Sequence, residues 1–371
     1  MKKTMPMEIS AENEALKPGI IAEILPTIRR NCLIADARHS GLYSLCGLFL
    51  RMKDLYNWEQ GNPPWSPTRE EHLIQWIDTK ETNWLGCLDE PYEPIVLESR
   101  SVDCLDSPKV NRHLFPLGYY YGAGYGRGMT PTFFLGVIRD QFRLKNFEVI
   151  ILDRELALDL SLVPAQRQGR VIVIRREPLR FFLWAKIQET EQWEREATSM
   201  ALAYYGWKPD RPPEEQLEPI LEAEAETILY HELGEALDRT LPRGLWKKLL
   251  QKFPFSRIEL YLRTLKDLLG DTHPQGTLQH IIQKEKSGSL AFYLSNLKGL
   301  RRSLFPEIAT GVKKFKSNQD WEDIRRAARE GRRRMILQSR RIVSMAEEYL
   351  PERENEFTER FDLEFFKPLG L

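Results

Sequence analysis

Cysteine is scarce in this sequence, and its cysteines lack the spacing of a metal-binding or redox motif. The 371 residues include four, which stand 14, 41 and 17 positions apart: Cys32, Cys46, Cys87 and Cys104. Structural zinc sites and redox dithiols use closely spaced cysteine pairs, and these spacings exclude that pattern. We therefore expect four reduced thiols and no disulfide framework.

The sequence also lacks a hydrophobic run that is long enough to cross a membrane. Its longest apolar stretch, around residues 42–50, contains Ser44 and stops before Arg51, whereas a membrane-spanning helix needs about 20 residues. The first residues include two lysines but continue with acidic and polar residues, unlike the apolar core of a signal peptide. These features predict a cytoplasmic protein that has no membrane partner.

A net charge of either sign is absent, because 54 Lys and Arg residues balance 54 Asp and Glu residues. No global field therefore attracts nucleic acid or anionic lipid. The charge is nevertheless segregated: residues 189–235 hold 13 acidic against three basic residues, and residues 313–341 hold 11 basic against four acidic residues. We hypothesise that these two segments bind partner proteins or a second copy of the chain, or that they pair with each other. Few aromatic residues accompany the basic segment, which argues against nucleic acid as its partner.

Hydrophobic periodicity predicts an α+β protein that is mainly α-helical, with bundle-like helical parts flanking a small β-sheet insertion. Residues 1–91 form the N-terminal helical region, residues 92–190 the β-containing region, and residues 191–371 the C-terminal helical region. We expect the two helical regions to pack together. Three runs in the middle region are typical of strands: 147–152, 170–174 and 181–187.

The segment from Glu224 to Asp238 carries the strongest chemical signal in the chain. On a helix, Glu224, His231, Glu235 and Asp238 fall within an arc of about 60°, at the edge of an apolar face. Divalent transition ions such as Fe, Mn or Zn favour such a mixture of imidazole and carboxylate donors, and an ion would supply the counter-charge that buried carboxylates need. We predict Glu224, His231 and Glu235 as metal ligands. A solvated acidic helix with one hydrogen-bonded histidine is the alternative.

Further residues extend this predicted site. Glu232 lies nearer the middle of the apolar side and is the candidate catalytic acid. The ligand set is completed either by Asp36 and His39, which are three residues apart on another predicted helix, or by the loop residues Asp271 and His273.

Asp36 and His39 belong to a face with the alternating spacing of a helix. Because its other members favour interiors, we expect this face to be buried against the C-terminal helices. Gly41 weakens the helix and leaves open two shorter helices that meet there. The face consists of Cys32, Asp36, His39, Tyr43, Cys46 and Leu50.

Two short motifs resemble those of metalloenzymes. His231-Glu-Leu-Gly-Glu235 is similar to the HExxH motif of zincin peptidases, with Glu235 in place of the second histidine. Glu224-x6-His231 and Asp36-x2-His39 match spacings of haem-oxygenase-like di-iron proteins, in reversed chain order. These resemblances imply hydrolase or oxidase chemistry.

The segment 118–128 combines four tyrosines with glycines at the alternate positions 122, 124, 126 and 128, and it has the most unusual composition in the chain. It lacks the lysine and serine or threonine of a phosphate loop and does not follow an apolar strand, so we expect no nucleotide cofactor. We predict a flexible aromatic loop in which Tyr125 and Arg127 bind a cofactor, with Arg127 holding an anionic group.

Residues 38–65, from Arg38-His39-Ser-Gly-Leu-Tyr to Asn62-Pro63-Pro64-Trp65, resemble a family of uncharacterised bacterial proteins of unknown function. The resemblance extends plausibly over the whole chain and implies a bacterial cytoplasmic protein, but it supplies no activity. Our leading hypothesis is a helical metal-binding protein with hydrolase or oxidase activity. The alternative is a non-catalytic interaction module that uses the acidic and basic segments.

Overall fold

The computed structural model describes residues 17–188, 192–350 and 352–370. Residues 1–16 of the predicted N-terminal region, and Glu189 and Glu191 of the acidic segment, lie outside these ranges. Helices account for 65% of the structure, which confirms the predicted α+β class with mainly helical content. The chain divides into two compact units. The first unit contains residues up to 126, 130–163 and 175–181, and the second contains 127–129, 164–174 and the residues from 182 onward.

The helices and strands have the following bounds. The helices are α1 Lys17–His39, α2 Leu45–Glu59, α3 Glu70–Cys87, α4 Ser107–Leu114, α5 Arg176–Ile187, α6 Gln192–Tyr204, α7 Pro213–Leu237, α8 Arg243–Lys252, α9 Arg257–Asp271, α10 Thr277–Gln283, α11 Ser287–Ser295, α12 Gly299–Leu304, α13 Pro306–Asn318, α14 Trp321–Tyr349 and α15 Glu354–Phe361. The strands are β1 Ile95–Leu97, β2 Arg100–Val102, β3 Tyr119–Tyr125, β4 Pro131–Leu144, β5 Phe147–Leu158, β6 Ala165–Gln168 and β7 Val171–Arg175.

The core of the first unit forms between helix α1 and the antiparallel meander β3-β4-β5. One stripe of α1, at spacings of three and four residues, is buried because it faces the sheet. Strand β4 supplies Phe133 and Leu135 to the same core. The stripe consists of Ile21, Ile24, Ile28, Cys32 and Ala35.

The predicted face from Cys32 to Leu50 is interrupted in the structure. Helix α1 ends at His39, and α2 begins at Leu45 after Ser44, whose hydroxyl accepts a hydrogen bond from the Gly47 amide at 3.2 Å. Cys32 is buried, but Leu50 is 61% exposed. The expectation of one continuous buried face is therefore wrong, and the alternative of two helices is confirmed.

The glycine-tyrosine segment is not a flexible loop, because most of it forms strand β3. Gly122 lies opposite Phe134 of strand β4, and a Cβ atom on Gly122 would lie 2.0 Å from the Phe134 ring. Glycine is therefore required at this position by packing, and the buried Tyr121 next to it donates its hydroxyl to the Cys104 carbonyl at 2.7 Å.

The predicted strand 181–187 is wrong, because these residues belong to helix α5. Pro178 lies in the first turn of α5, where proline is favoured because its missing amide proton is not needed there. The other two predicted strands are confirmed as parts of β5 and β7.

The second unit has its own hydrophobic core, to which every helix from α8 to α15 contributes. Helix α14 buries one stripe along its whole length, from Ile324 through Met335 and Ile342 to Tyr349. At the C-terminal end of the core, the ring of Tyr261 meets Phe361 edge to face, with their centroids 5.3 Å apart.

None of the helices in the described ranges combines the length and the hydropathy of a membrane-spanning segment.

Candidate metal centre

Helices α7 and α9 of the second unit cross at Gly234 and Gly270, and Gly276, the residue before α10, lies against the same point. A Cβ atom on Gly234 would lie 2.2 Å from the Gly270 carbonyl oxygen, and one on Gly276 would lie 2.0 Å from that same oxygen. Only glycine permits this approach of the two backbones. The crossing brings His231 and Glu235 of α7 beside Asp267 and Asp271 of α9.

The imidazole of His231 lies between two carboxylates. Its Nδ1 atom is 2.8 Å from Asp271 Oδ1, and its Nε2 atom is 3.4 Å from Glu235 Oε1. Asp271 also accepts hydrogen bonds from Thr277 Oγ1 at 2.8 Å and from Arg301 at 2.7 Å. The Asp271 carboxylate acts as an acceptor for all of these groups, so Nδ1 of His231 carries a proton and donates it to Asp271. The other ring nitrogen, Nε2, faces Glu235.

Three side chains of this cluster could hold one metal ion. Ligand atoms of His231, Glu235 and Asp267 all lie within 4.8 Å of one another. The side chains of His231, Glu235 and Asp267 are 23%, 14% and 35% exposed, so solvent reaches the cluster from one side. We refer to these three residues as the α7–α9 triad.

Two cations neutralise the two carboxylates of the triad, and each cation binds one oxygen of its partner. Lys266 binds Oε2 of Glu235, while Oε1 of the same carboxylate faces His231. Arg301 binds Oδ2 of Asp267 at 3.0 Å and, through its other amino group, Oδ2 of Asp271. Within the described residues, each of these two carboxylates thus keeps one oxygen that no Lys or Arg binds, and that oxygen of Glu235 faces His231.

The surroundings shift the pKa values of the two triad acids in opposite directions. Burial and the charge of Glu235 raise the pKa of Asp267 to about 7. Burial favours the neutral form of Glu235 as well, but Lys266 and His231 outweigh it and hold its pKa well below the usual value. Burial lowers the pKa of His231, whereas Asp271 and Glu235 together raise it well above its usual range. An imidazolium and an ionised Glu235 therefore stand beside an Asp267 that titrates near neutral pH.

The candidate acid Glu232 is half-buried on α7, next to His231 in the chain. Burial, and then the charge of Glu235, raise the pKa of the Glu232 carboxyl group. Such a shift extends the proton-donating form of this carboxyl group to higher pH, as a general acid requires.

The structure separates the other predicted members of the α7 strip from the triad. Glu224 is buried, and its Oε1 accepts hydrogen bonds from Tyr205 at 2.6 Å and Ser289 at 2.7 Å. Asp238 caps the end of α7 and binds Arg332 at 2.6 Å. The predicted strip is therefore split into separate sets of contacts. Helices α11, α9 and α14 contact Glu224, His231 and Asp238 respectively.

The remaining predicted site residues lie elsewhere. His273 accepts a hydrogen bond from the Gln275 amide at 3.1 Å. Asp36 and His39 lie on α1 of the first unit, and burial lowers the pKa of His39 to about 4. Tyr125 ends strand β3 and is 50% exposed, and Arg127 follows in the segment 127–129. The binding of a cofactor by Tyr125 and Arg127 stays a prediction.

Sequence reasoning missed Asp267, Lys266 and Arg301. The sequence did contain a signal for Asp267. Asp267 and Asp271 are four residues apart and therefore lie on one helical face, as do His231 and Glu235. Asp271 was expected in a loop after Gly270 but is the last residue of α9.

Replacing Gly234 with alanine should lower the free energy of unfolding by about 1–3 kcal/mol, because the new methyl group would meet the Gly270 backbone. Thermal or denaturant unfolding measures this loss. Gly244→Ala on α8 is the matched control, since no atom lies within 4 Å of its added Cβ. Equal stability of the two variants would contradict the close crossing.

Comparisons with known proteins give a family but no activity. Residues 23–175 match the N-terminal domain of a family of unknown function, DUF6866, and residues 180–364 match its C-terminal domain. No curated protein and no solved structure matches the chain. Because the two matches together cover most of its length, the chain belongs to the DUF6866 family of unknown function.

Proposed function

We propose that the second unit binds one divalent transition-metal ion through the α7–α9 triad, and that it performs hydrolase or oxidase chemistry there. The convergence of one imidazole and two carboxylates from two helices carries this proposal. Asp271 supports it as well, because it binds the far nitrogen of His231. Metal-binding histidines ordinarily donate that second ring N–H to a carboxylate, which orients the ring.

The donor set defines the class of ion and the chemistry. Imidazole and carboxylate ligands suit Zn, Mn or Fe, and three protein ligands leave positions for water or substrate. A bound ion would lower the pKa of a coordinated water and make it a nucleophile near neutral pH. Glu232, whose pKa is raised, is the residue that we propose as the acid–base group.

A metal ion would have to compete with ion pairs that the triad already forms. Lys266 and Arg301 already compensate the triad carboxylates, so the cluster satisfies its charges without an ion. A divalent ion would replace the proton of His231 Nε2 and the proton that Asp267 holds near neutral pH, as metals do at protonated ligands. A purely structural ion-pair network is the competing interpretation.

The decisive experiment compares metal binding by wild-type protein and two variants. We expect near-stoichiometric metal in the purified wild type, measured by elemental analysis, and binding of Zn²⁺ or Mn²⁺ in calorimetry. His231→Ala should weaken binding about 100-fold, since it removes a ligand. Glu224→Gln is the matched control on the same helix, because its carboxylate lies with Tyr205 and Ser289. Wild-type protein that binds no more metal than His231→Ala would exclude the proposal.

Association through charged segments is a second proposal, and it rests on the basic segment 313–341. Six of its arginines form ion pairs within the second unit, with partners outside 189–235. Five other cations form no ion pair with any residue that the structure describes. These five are Lys313, Lys314, Lys316, Arg333 and Arg340.

Sedimentation at low and high salt tests this second proposal. If the five cations bind the acidic segment of a second copy, an oligomer present at low salt should dissociate at high salt. The reason is that the Debye length shrinks from ~30 Å at 0.01 M to ~3 Å at 1 M. A monomer at every salt concentration would exclude self-association through these charges.

We also propose a bacterial cytoplasmic location. All four cysteines are free thiols, as expected in a reducing compartment.

A further inference from the structure

The first unit has a cavity of about 740 Å³ that is open to solvent on one part of its surface and is lined by helices α1, α2 and α3, the start of α5 and strand β5. This volume lies in the range of small-molecule sites, which is roughly 300–1,000 Å³. Its lining combines charged side chains with apolar ones, among them Cys32, Leu33, Leu55 and Leu158.

Asp36 is the most deeply buried acid in the cavity wall, with 4% of its surface exposed. Its Oδ1 accepts a hydrogen bond from the Leu160 amide at 2.7 Å. Within the described ranges, no group donates to Oδ2 and no cation forms an ion pair with this carboxylate. Burial, and then the charge of Asp159, raise the pKa of Asp36 well above its usual value. The carboxylate therefore lacks a counter-charge that a buried acid ordinarily has.

Arg29 lies on the same face of α1, seven residues before Asp36. Seven residues correspond to two helical turns, or about 10 Å along the axis. The Arg29 side chain is exposed, and its Nε donates to the Leu156 carbonyl at 3.1 Å. Among the described residues, no carboxylate pairs with its guanidinium group. A guanidinium group and a buried carboxyl group, neither of which has an ion-pair partner among the described residues, thus lie two turns apart on one face of α1.

Most other charged groups of the wall are already satisfied. Lys80 pairs with Glu59, and Arg30 pairs with Glu90. Glu177 accepts hydrogen bonds through one oxygen from Trp58 Nε1 at 3.2 Å and from a backbone amide at 2.6 Å. Arg154 also lines the cavity without an ion-pair partner among the described residues, but Arg29 is the cation that shares a helical face with Asp36, so we take Asp36 and Arg29 as the charged contacts of a ligand.

We propose that this cavity binds a small aliphatic zwitterion, with its ammonium group at Asp36 and its carboxylate at Arg29. The ammonium group would supply the counter-charge that Asp36 lacks, and the guanidinium group suits a carboxylate because it donates two parallel hydrogen bonds. A methylene chain between the two groups suits the apolar side chains of the lining. The site is in the first unit and does not depend on the metal proposed for the second.

Ligand-detected NMR and calorimetry on the full chain test this assignment. The probes are 4-aminobutanoate, 6-aminohexanoate and 8-aminooctanoate, with hexylamine and hexanoate as single-charge references. We expect at least one amino acid to bind more tightly than both references. Asp36→Asn should weaken amino-acid binding about ten-fold or more, and Arg29→Gln should do the same while leaving hexylamine unaffected.

Glu23→Gln is the matched control, because Glu23 is exposed on the same helix and does not line the cavity. Asn at position 36 keeps an oxygen for the Leu160 amide. If Asp36→Asn fails to fold, the Arg29→Gln substitution, which is at an exposed position, still tests the assignment. The assignment is overturned if no amino acid binds, if the references bind as tightly as the amino acids, or if Arg29→Gln binds like the wild type.

Discussion

Alanine in place of Asp271 is expected to lower the free energy of unfolding of the second unit by about 3–5 kcal/mol, because it removes one partner of a buried ion pair. Only 2% of the Asp271 side chain is exposed, and its carboxylate holds His231, Thr277 and Arg301 together. The substitution would leave the charges of His231 and Arg301 without their shared anion. Hydrogen exchange of the α9 amides measures the loss in this unit.

Asp267→Ala is the matched control for this prediction. Asp267 lies one turn earlier on α9 and pairs with the same Arg301, but 35% of its side chain is exposed. Its removal should cost about 1 kcal/mol or less, since exposed ion pairs contribute little. Similar losses for the two aspartates would show that burial does not decide the strength of these contacts.

The same cluster illustrates what periodicity can and cannot predict. The spacing of His231 and Glu235 places them on one helical face in any structure that keeps the helix, so this half of the triad was predictable. Asp267 comes from α9, and its arrival depends on how closely two backbones approach at Gly234 and Gly270. Such a crossing is a tertiary property, which no pattern within one helix encodes.

Predictions from local composition were wrong at two segments, because tertiary packing determines the structure there. A run of alternating glycines is typical of a loop, but Gly122 leaves room for the Phe134 ring within a paired strand. The short apolar run at 181–187 fits a strand or a helix equally well by hydrophobicity alone. Pro178 was the signal that distinguishes them, since it lies in the first turn of α5, where proline is favoured.

Replacing Glu155 with leucine should destabilise the first unit by about 3–5 kcal/mol, whereas Glu155→Leu/Arg175→Met should recover most of that loss. Arg175 is 1% exposed and binds both oxygens of Glu155, at 2.5 and 2.6 Å. The single substitution therefore leaves a buried guanidinium group without its anion.

The double variant should be nearly as stable as the wild type because desolvation almost cancels the attraction within this pair. Burial raises the pKa of Glu155 to about 7 even though Arg175 lowers it, so the charged state gains little net free energy inside the protein. Hydrogen exchange of the β5 amides reports on this unit, and Lys109→Ala, which breaks an exposed pair with Asp106 of the same unit, controls for ion-pair loss in general. If the double variant is as unstable as Glu155→Leu alone, the pair contributes net stability and this account of its balance is wrong.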